Sequence, residues 1–314
     1  MRELRILFLG GAKRVSMGRK FIAAGERLGL NVTLYSYELC HEVAIAAVAK
    51  VIIGRKWSDP SILDDLRKRC LEYHIDLIIP FVDGAVEIAA RYCEQYGAKS
   101  APVSSSRLAA VMFDKVAADN IFREAQLPVP AREDFPLIAK PRHGSASKGI
   151  IVIHDQDMLD QLDNRDDYLI QQYIDPRREI TVDCYVSLAG EIIATVPRYR
   201  IETQGGEASV TETFYDPAVI KLARETLAKT GLRGAVTIQL LEDMRDNRLM
   251  LMEINPRLGG GAVCACRAGA DLPEFILRDH LLLPLSPCDD WKPNIRVCRY
   301  FDEIAFDMNH KTDE

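Results

Sequence analysis

The chain has 314 residues and a formal net charge of −6, with 48% hydrophobic and 27% charged residues. This is the composition of a soluble globular protein with room for two domains, and its acidic balance argues against nucleic-acid binding through phosphate neutralisation. The sequence has no apolar run of the roughly 20 residues that a spanning helix needs and no signal-peptide pattern at its start, so we expect a cytoplasmic protein without a membrane partner. None of the cysteines forms a C-x-x-C pair, so cysteine chemistry is not expected to carry the function.

Strand-like and helical patterns alternate over residues 1–103. This alternation predicts a parallel sheet covered by helices, in a Rossmann-like α/β domain. The run APVSSS at 101–106 marks the predicted boundary after residue 103. The predicted strands are Ile6–Gly10, Val32–Tyr37 and Ile75–Phe81, and the predicted helices lie near Met17–Leu28, Ile62–Leu71 and Ala85–Tyr96.

The pattern changes after residue 104. One helix is predicted over 106–127, ended by Pro128 and Pro130. Short strands then follow in quick succession, which indicates a small antiparallel α+β unit and a second α+β lobe. The predicted strands are Leu137–Lys140, Gly149–Ile153, Tyr168–Ile170, Glu179–Val186, Glu191–Pro197, Gly234–Leu241, Leu249–Ile254 and Asn294–Tyr300, with helices near Met158–Leu162 and Ala218–Thr230.

Glycines follow the first predicted strand. Gly10, Gly11 and Gly18 precede a helix, and Glu38 ends the second strand, which invites a dinucleotide-binding interpretation. The run GGAKRVSMG lacks the G-x-G-x-x-G spacing that brings the backbone close to a pyrophosphate. A tight strand-to-helix turn is therefore the favoured interpretation.

Two lysines and a loop of small residues indicate a phosphate site. Lys140 ends an apolar strand and is followed by His143-Gly144-Ser145-Ala146-Ser147-Lys148-Gly149, whose backbone N–H groups could approach phosphate oxygens. Lys115 begins a helix upstream, and Asp114 is a suitable N-cap for that helix. A surface hairpin and a solvated lysine are the alternatives for each feature taken alone.

A polar connector follows the strand at Tyr168–Ile170. Backbone groups of Gln171, Gln172, Tyr173 and Ile174 could hydrogen-bond an adenine edge, and Glu179 could accept from ribose hydroxyls. A simple polar linker is the alternative.

The run Glu253-Ile254-Asn255-Pro256-Arg257 is the most specific signal. Glu253 and Asn255 are two apart in a strand and share a face, and their oxygens suit Mg²⁺. Gln239 offers a third oxygen from a neighbouring strand, and Arg257 can bind phosphate in a fork geometry. Gly259, Gly260 and Gly261 add backbone N–H groups for an oxyanion.

A long polar stretch, 198–213, is a candidate substrate loop. Arg198 and Arg200 could clamp a carboxylate there, with Gly259 and Gly260 contributing on the other side. A solvated hairpin is an equally weighted alternative.

Taken in order, these segments resemble the ATP-grasp superfamily, and specifically the ATP-binding half of the carbamoyl-phosphate synthase large subunit. The resemblance implies a pre-ATP-grasp domain (1–103) followed by a two-lobed α+β ATP-grasp domain (104–314). The nucleotide would lie between a small lobe of about 128–172 and a larger lobe of about 173–300. It further implies ATP and Mg²⁺ (or Mn²⁺) as cofactors.

The resemblance also implies roles for individual residues. The ATP-binding residues are Lys115, Lys140, His143, Gly144, Ser145, Ser147, Gly149, Gln171, Gln172, Tyr173, Ile174 and Glu179. The metal ligands are Gln239, Glu253 and Asn255, and Arg257 stabilises the transferred phosphate. Two positions depart from the family pattern, since Gln171 stands where hinge acids are common and Gln239 leaves Glu253 as the only charged metal ligand. The chain is also much shorter than a complete large subunit.

The implied activity is that of an ADP-forming ligase that joins a small carboxylate to an amine or a thiol through an acyl phosphate. A kinase forming carboxyphosphate from bicarbonate, or phosphorylating carbamate, is one alternative, and a non-catalytic ATP-binding protein is another. A Rossmann-type oxidoreductase is the alternative from a different class. The identities of both substrates and the oligomeric state, including a homo-oligomer, are left open.

Overall fold

The computed structural model describes residues 2–97, 100–144, 148–205 and 207–308. The chain divides into two compact units, one formed by Met1–Ala101 with Arg299–Glu314 and the other by Pro102–Cys298. The division falls two residues before the predicted boundary, and the end of the chain groups with the first unit rather than with the second. Within the described ranges, no helix is long and apolar enough to cross a membrane.

The first unit is built on a four-stranded parallel sheet with strand order β3-β2-β1-β4. Residues 6–9 of the first strand are fully buried, as expected for a parallel sheet covered on both faces. The predicted α/β class is confirmed for this unit, although the sequence did not predict β3. Its elements are β1 (Arg2–Leu9), α1 (Val15–Arg27), β2 (Leu30–Glu38), a 3-10 turn at Ala44–Ala47, β3 (Lys50–Ile53), α2 (Ile62–Glu72), β4 (Leu77–Pro80) and α3 (Asp83–Tyr96).

The glycine turn after β1 is occupied by an acidic side chain from its own unit. The Glu38 carboxylate accepts a hydrogen bond from Ser36 Oγ at 2.6 Å and further hydrogen bonds from the backbone N–H groups of Gly11 and Ala12. Burial raises the pKa of Glu38, while these three hydrogen bonds act in the opposite direction. The amides that a dinucleotide phosphate would need are thus already used, which favours the tight-turn interpretation.

The second unit begins with two helices where one was predicted, α4 (Ser106–Phe113) and α5 (Lys115–Glu124). The break is at Asp114, whose extended backbone ends α4 and whose carboxylate accepts from Val116 N and Ala117 N at 3.1 Å each. The continuous helix over 106–127 was therefore wrong. The expectation that Asp114 caps a helix starting at Lys115 is met.

A small antiparallel sheet of three strands follows, in the order β6-β5-β7. One of its faces packs Leu137, Ala139 and Ile153 against neighbouring apolar side chains. The other face carries Lys140 and Gln171. The elements are β5 (Leu137–Pro141), β6 (Ile151–Ile153), α6 (Gln156–Asp160) and β7 (Tyr168–Gln172).

The larger sheet has six strands in the order β12-β11-β8-β9-β10-β13. The stretch that was predicted as a substrate loop instead forms the paired ends of β9 and β10, a hairpin. The two short helices after the glycine run were not predicted. The elements are β8 (Arg177–Val186), β9 (Ile192–Gln204), β10 (Glu207–Thr213), α7 (Pro217–Thr230), β11 (Gly234–Asp243), β12 (Leu249–Asn255), α8 (Val263–Ala268), α9 (Leu272–His280) and β13 (Arg296–Cys298).

The two faces of the larger sheet differ sharply in polarity. Alternate residues of β8, such as Ile180 and Val182, face an apolar core that also contains Leu222 and Leu227 of α7. The intervening residues of β8 are Glu179, Thr181 and Asp183, and they lie on the opposite face. That face is polar on the neighbouring strands as well: the strand register places there Arg198 and Arg200 of β9, Thr237 and Gln239 of β11, and Glu253 and Asn255 of β12.

Candidate active site

A three-residue polar cluster lies where β11 and β12 pair on the polar face. Gln239 stands directly opposite Glu253, and Thr237 stands opposite Asn255. One oxygen of Glu253 accepts from Gln239 Nε2 at 2.9 Å and from Asn255 Nδ2 at 2.6 Å. The structure therefore brings together all three predicted metal ligands.

A β-bulge in β12 sets the direction of the Glu253 side chain. Gln239 pairs with Glu253 but Leu240 pairs with Leu251, so Met252 is the additional residue. In a regular strand Leu251 and Glu253 would point to the same side. The bulge lets Leu251 enter the apolar core while Glu253 stays on the polar face.

Arg257 and the glycine run follow β12 directly. Arg257 Nη2 donates to Asn255 Oδ1 at 3.3 Å, and the Arg257 carbonyl accepts from Thr237 Oγ1 at 2.9 Å. The glycines after it pack so tightly on the polar face that side chains cannot be accommodated. A Cβ on Gly260 would lie 2.8 Å from the carboxylate of Glu207.

The two candidate substrate arginines have different surroundings. Arg200 Nη1 donates to Gln239 Oε1 at 2.9 Å and lies 3.6 Å from a carboxylate oxygen of Glu179, so it joins the predicted ribose acid to the metal-ligand cluster. Arg198 is buried, and its Nε donates to Asp183 Oδ2 at 2.6 Å. Arg198 thus lies beneath the glycine run.

Lys140 is buried on the polar face of the small sheet. Its ammonium donates to Gln171 Oε1 at 3.2 Å, and Gln171 Nε2 donates in turn to Asp119 Oδ1 at 2.7 Å. Asp119 is buried and also accepts from Arg123 and Arg132. The glutamine at the hinge therefore links a buried lysine to a buried aspartate.

The charge state of Lys140 depends on this environment. Burial lowers its pKa to about 8, and the negative charges of Glu253 and Asp119 act in the opposite direction. The influence of Glu253 means that the lysine of the small sheet and the acid of the large sheet interact electrostatically.

Lys115, at the start of α5, contacts the small-residue loop that follows Lys140. Its Nζ donates to the Gly144 carbonyl at 2.7 Å, and its backbone N–H donates to the Arg142 carbonyl at 3.1 Å. Asp114 accepts from Arg142 Nε at 2.8 Å, which ties the end of β5 to the start of α5. Of the loop itself, His143, Gly144 and Gly149 are exposed, whereas the predicted contacts Ser145 and Ser147 lie outside the described residues.

The hinge segment is held by backbone hydrogen bonds. Gln172 N donates to the Ala131 carbonyl at 2.7 Å, and Tyr173 N donates to the Pro136 carbonyl at 2.8 Å. Ile174 is buried, and its carbonyl accepts from Arg177 at 3.2 Å. The strand β7 thus brings the four predicted hinge residues to the edge of the small sheet that continues into β8.

Comparisons with known proteins show which solved structures share this fold. A family model described as "ATP-grasp in the biosynthetic pathway with Ter operon" matches residues 164–300, less than half of the chain. A biotin carboxylase from Campylobacter jejuni, described as a β-γ-ATP complex, has the same fold, with a TM-score of 0.73 and 18% identity, over 93% of this chain and 74% of that one. This chain has the ATP-grasp fold.

Two further solved structures have a similar fold. An L-amino acid ligase from Bacillus licheniformis matches with a TM-score of 0.68 and 18% identity, over 90% of this chain and 74% of that one. An N5-carboxyaminoimidazole ribonucleotide synthetase from Thermotoga maritima matches with a TM-score of 0.65 and 16% identity, over 91% and 77%. At such identities the likeness concerns the fold. No curated protein sequence matches this chain.

The donor set of the candidate site fits Mg²⁺. No group of three or more His, Cys, Asp or Glu side chains able to hold a metal occurs among the described residues. Glu253 with two carboxamides instead supplies one charged and two neutral oxygens, and Mg²⁺ commonly completes its shell with substrate phosphates and water. The amides of Gln239 and Asn255 would have to turn their oxygens toward the ion, since both now donate N–H groups to Glu253.

Several buried or partly buried polar residues around the candidate site were missed by sequence reasoning. Asp119, Asp183 and Thr237 lie in helical or strand patterns where they resemble ordinary polar positions. Their partners are distant in sequence, such as Gln171 for Asp119, which is 52 positions away. The alternation in Thr181-Val182-Asp183 and Thr237-Ile238-Gln239 predicts which sheet face Asp183 and Thr237 occupy. The sequence carries no local signal for their partners.

Proposed function

We propose that this protein is an ADP-forming ATP-grasp ligase, which activates a small carboxylate as an acyl phosphate and transfers the acyl group to an amine or a thiol. One observation carries the proposal. Glu253, Gln239, Asn255 and Arg257 converge on one polar sheet face, and Lys140 is buried beside Gln171 on the polar face of the small sheet. A nucleotide-binding protein without chemistry has no need for the metal ligands and the arginine.

Each group has a part in phosphoryl transfer. The hinge Gln171–Ile174 and Glu179 would hold adenine and ribose, and Lys115 and Lys140 would contact the phosphates. Mg²⁺ held by Glu253, Asn255 and Gln239 would neutralise charge on the β- and γ-phosphates. Arg257 and the amides after it would face the three equatorial oxygens of the transferred group.

The bonds made and broken balance without a further reactant. A carboxylate oxygen attacks the γ-phosphorus as the bond to the β-phosphate bridging oxygen breaks, giving acyl phosphate and ADP. The amine or thiol then attacks the acyl carbon, phosphate leaves, and the nucleophile's proton goes to solvent or phosphate. A carboxylate nucleophile needs no general base for the first step.

A carbamoyl-phosphate-synthase-like kinase for bicarbonate or carbamate is the alternative that the same ATP site supports. The structure of a biotin carboxylase domain dimer from Hydrogenobacter thermophilus 2-oxoglutarate carboxylase contains MgADP and bicarbonate, which motivates including bicarbonate among the test substrates. We also propose that the protein forms a homo-oligomer.

The test is release of ADP and phosphate with ATP and Mg²⁺ or Mn²⁺ across a panel of amino acids, other carboxylates and bicarbonate. Hydroxylamine traps any acyl phosphate as a hydroxamate. We expect substrate-dependent ADP release that falls at least about a hundredfold in Glu253→Gln, because the substitution removes the charged metal ligand. ATP binding with no turnover on any panel member would favour a non-catalytic nucleotide-binding protein, and failure to bind ATP would refute the proposal.

A further inference from the structure

We propose that Asp183 and Arg198 form a positioning pair that supports the glycine run behind Arg257, in contrast to a substrate clamp at Arg198. This inference rests on the proposed function, since it assigns the pair a part in holding the phosphate-facing loop. It concerns two charged residues that no part of the ATP or metal site requires.

The pair is buried and geometrically complete. The Arg198 side chain is 4% exposed and the Asp183 side chain 1%. Arg198 Nε donates to Asp183 Oδ2 at 2.6 Å and Nη2 donates to Oδ1 at 3.4 Å, a two-point contact between fork and carboxylate. Arg198 Nη1 donates to Thr211 Oγ1 at 3.4 Å, and that hydroxyl donates to the Tyr199 carbonyl. These contacts fix the guanidinium from β8, β9 and β10 together.

The glycine run lies directly on this pair. A Cβ on Gly261 would be 2.6 Å from Arg198 Cζ, and a Cβ on Gly259 would be 3.3 Å from Asp183 Oδ1 and 2.8 Å from Thr237 Oγ1. Real Cβ atoms essentially never show contacts of 2.6 or 2.8 Å, so Arg198 or Thr237 would have to shift if either glycine gained a side chain. The close approach of the loop to the ion pair therefore depends on glycine at these positions.

This arrangement explains why a charged pair lies under the loop. A substrate carboxylate binding Arg198 would have to displace Asp183 and leave a buried carboxylate without its partner, which is strongly unfavourable. A retained pair offers a rigid polar platform instead. The loop resting on it begins two residues after Arg257, so displacement of the loop would also displace the arginine and the amides beside it.

Asp183→Asn and Arg198→Lys test the assignment, with Asp243→Asn as the matched control. The Asp243 side chain is 0% exposed and pairs with Arg245 at 2.7 Å. It lies six residues along β11 from Thr237, roughly 20 Å away. All three substitutions weaken an ion pair made by a buried carboxylate, although Arg245 of the control pair is 51% exposed; only the first two weaken the platform.

We expect Asp183→Asn to lower kcat by about a hundredfold, the effect of a misplacement of about 1 Å, while KM for the carboxylate and the Kd for ADP stay within a few-fold. Arg198→Lys should retain more activity than Arg198→Met, and Asp243→Asn should keep the wild-type kcat. A raised KM for the carboxylate with kcat preserved at saturation would show a substrate clamp and overturn the proposal.

Hydrogen exchange supplies a readout that needs no turnover. In Asp183→Asn the amides of residues 259–262 should exchange faster than in wild type, and in Asp243→Asn they should not. Gly261→Ala should impair the loop from the opposite side, and combining it with Arg198→Ala should be less than additive because the clash at 2.6 Å disappears. Unchanged exchange in Asp183→Asn, or full additivity, would overturn the inference. An inactive wild-type enzyme with faster loop exchange in Asp183→Asn would instead refute only the proposed function.

Discussion

Lys140 is the residue whose ionisation is most strongly linked to the proposed nucleotide site. Burial lowers its pKa to about 8, so the ammonium is charged below that pH and is lost as the pH rises through it. A bound phosphate would raise the pKa again, and ADP affinity should fall by up to about tenfold per pH unit above pH 8. Calorimetry in buffers of different ionisation enthalpy would show proton uptake on binding at pH 8.5.

The Lys140→Arg variant is the control, because a guanidinium stays charged over this pH range. Lys140→Arg should bind ADP with little pH dependence between 7.5 and 9.5, even if its affinity at pH 7.5 is lower. A parallel decline in both proteins would place the titrating group elsewhere.

Gln171 stands at the hinge position where an acid is common in the family that the sequence resembles. Its carboxamide accepts from Lys140 and donates to Asp119, so the negative charge is moved one step away from the lysine. Gln171→Glu would put two carboxylates within about 2.7 Å of each other, the distance now spanned by a hydrogen bond, and should reduce the free energy of unfolding by about 1–3 kcal/mol. Asp119→Asn in the same chain would restore a donor, so the double variant should be more stable than the sum of the single losses. Urea unfolding of the four proteins measures this coupling, and strict additivity would show that the bridge carries no weight.

At the scale of elements, Asp114 connects helix α5 to strand β5. It caps the helix through Val116 N and Ala117 N and also accepts from Arg142. Partial burial would raise its pKa, but the hydrogen bonds from Arg142 and the helix amide dominate and lower it. Asp114→Ala should cost about 1 kcal/mol as a lost N-cap and should also weaken ADP binding, because Lys115 and the loop at Gly144 lose their common anchor.

Asp216→Ala is the matched comparison. Asp216 caps α7 through Ala218 N and Val219 N. It makes no ion pair with the described residues of the loop that follows Lys140. We expect a similar shift in thermal unfolding and an unchanged Kd for ADP. If both variants bound ADP equally well, the capping of α5 would have no part in nucleotide binding.

The β12 bulge marks the limit of prediction from local pattern. Two-residue spacing correctly placed Glu253 and Asn255 on one face, but the same rule places Leu251 beside them. The additional residue Met252 resolves the conflict, and its presence depends on pairing with β11 that the sequence of β12 does not contain. The Arg198 stretch shows the same limit, since its polar composition suggested a loop, whereas it forms a hairpin in which Asp183 and Thr211 hold a buried Arg198.

At the scale of the whole molecule, most of the architecture followed from periodicity. Alternating patterns identified the parallel sheet of the first unit, and closely spaced short strands identified the antiparallel sheets of the second. Strand β10 and helices α8 and α9 were not predicted, because β10 (EASVTET) is mostly polar and α8 and α9 are only six and nine residues long.

All groups assigned here to nucleotide binding lie within Pro102–Cys298, whereas the glycine turn of the first unit is filled by Glu38. ATP with Mg²⁺ should therefore slow amide exchange in β5, β7 and β12 and leave the turn at Gly10–Gly11 unchanged, because ligand binding protects the segments that it stabilises. NADH should protect neither region. Hydrogen exchange followed by mass spectrometry measures both segments in one experiment, with Glu253→Gln as the control that should lose protection in β12. Protection of the Gly10–Gly11 turn by NADH, with none in β5 or β12 by ATP, would reverse the assignment of the two units.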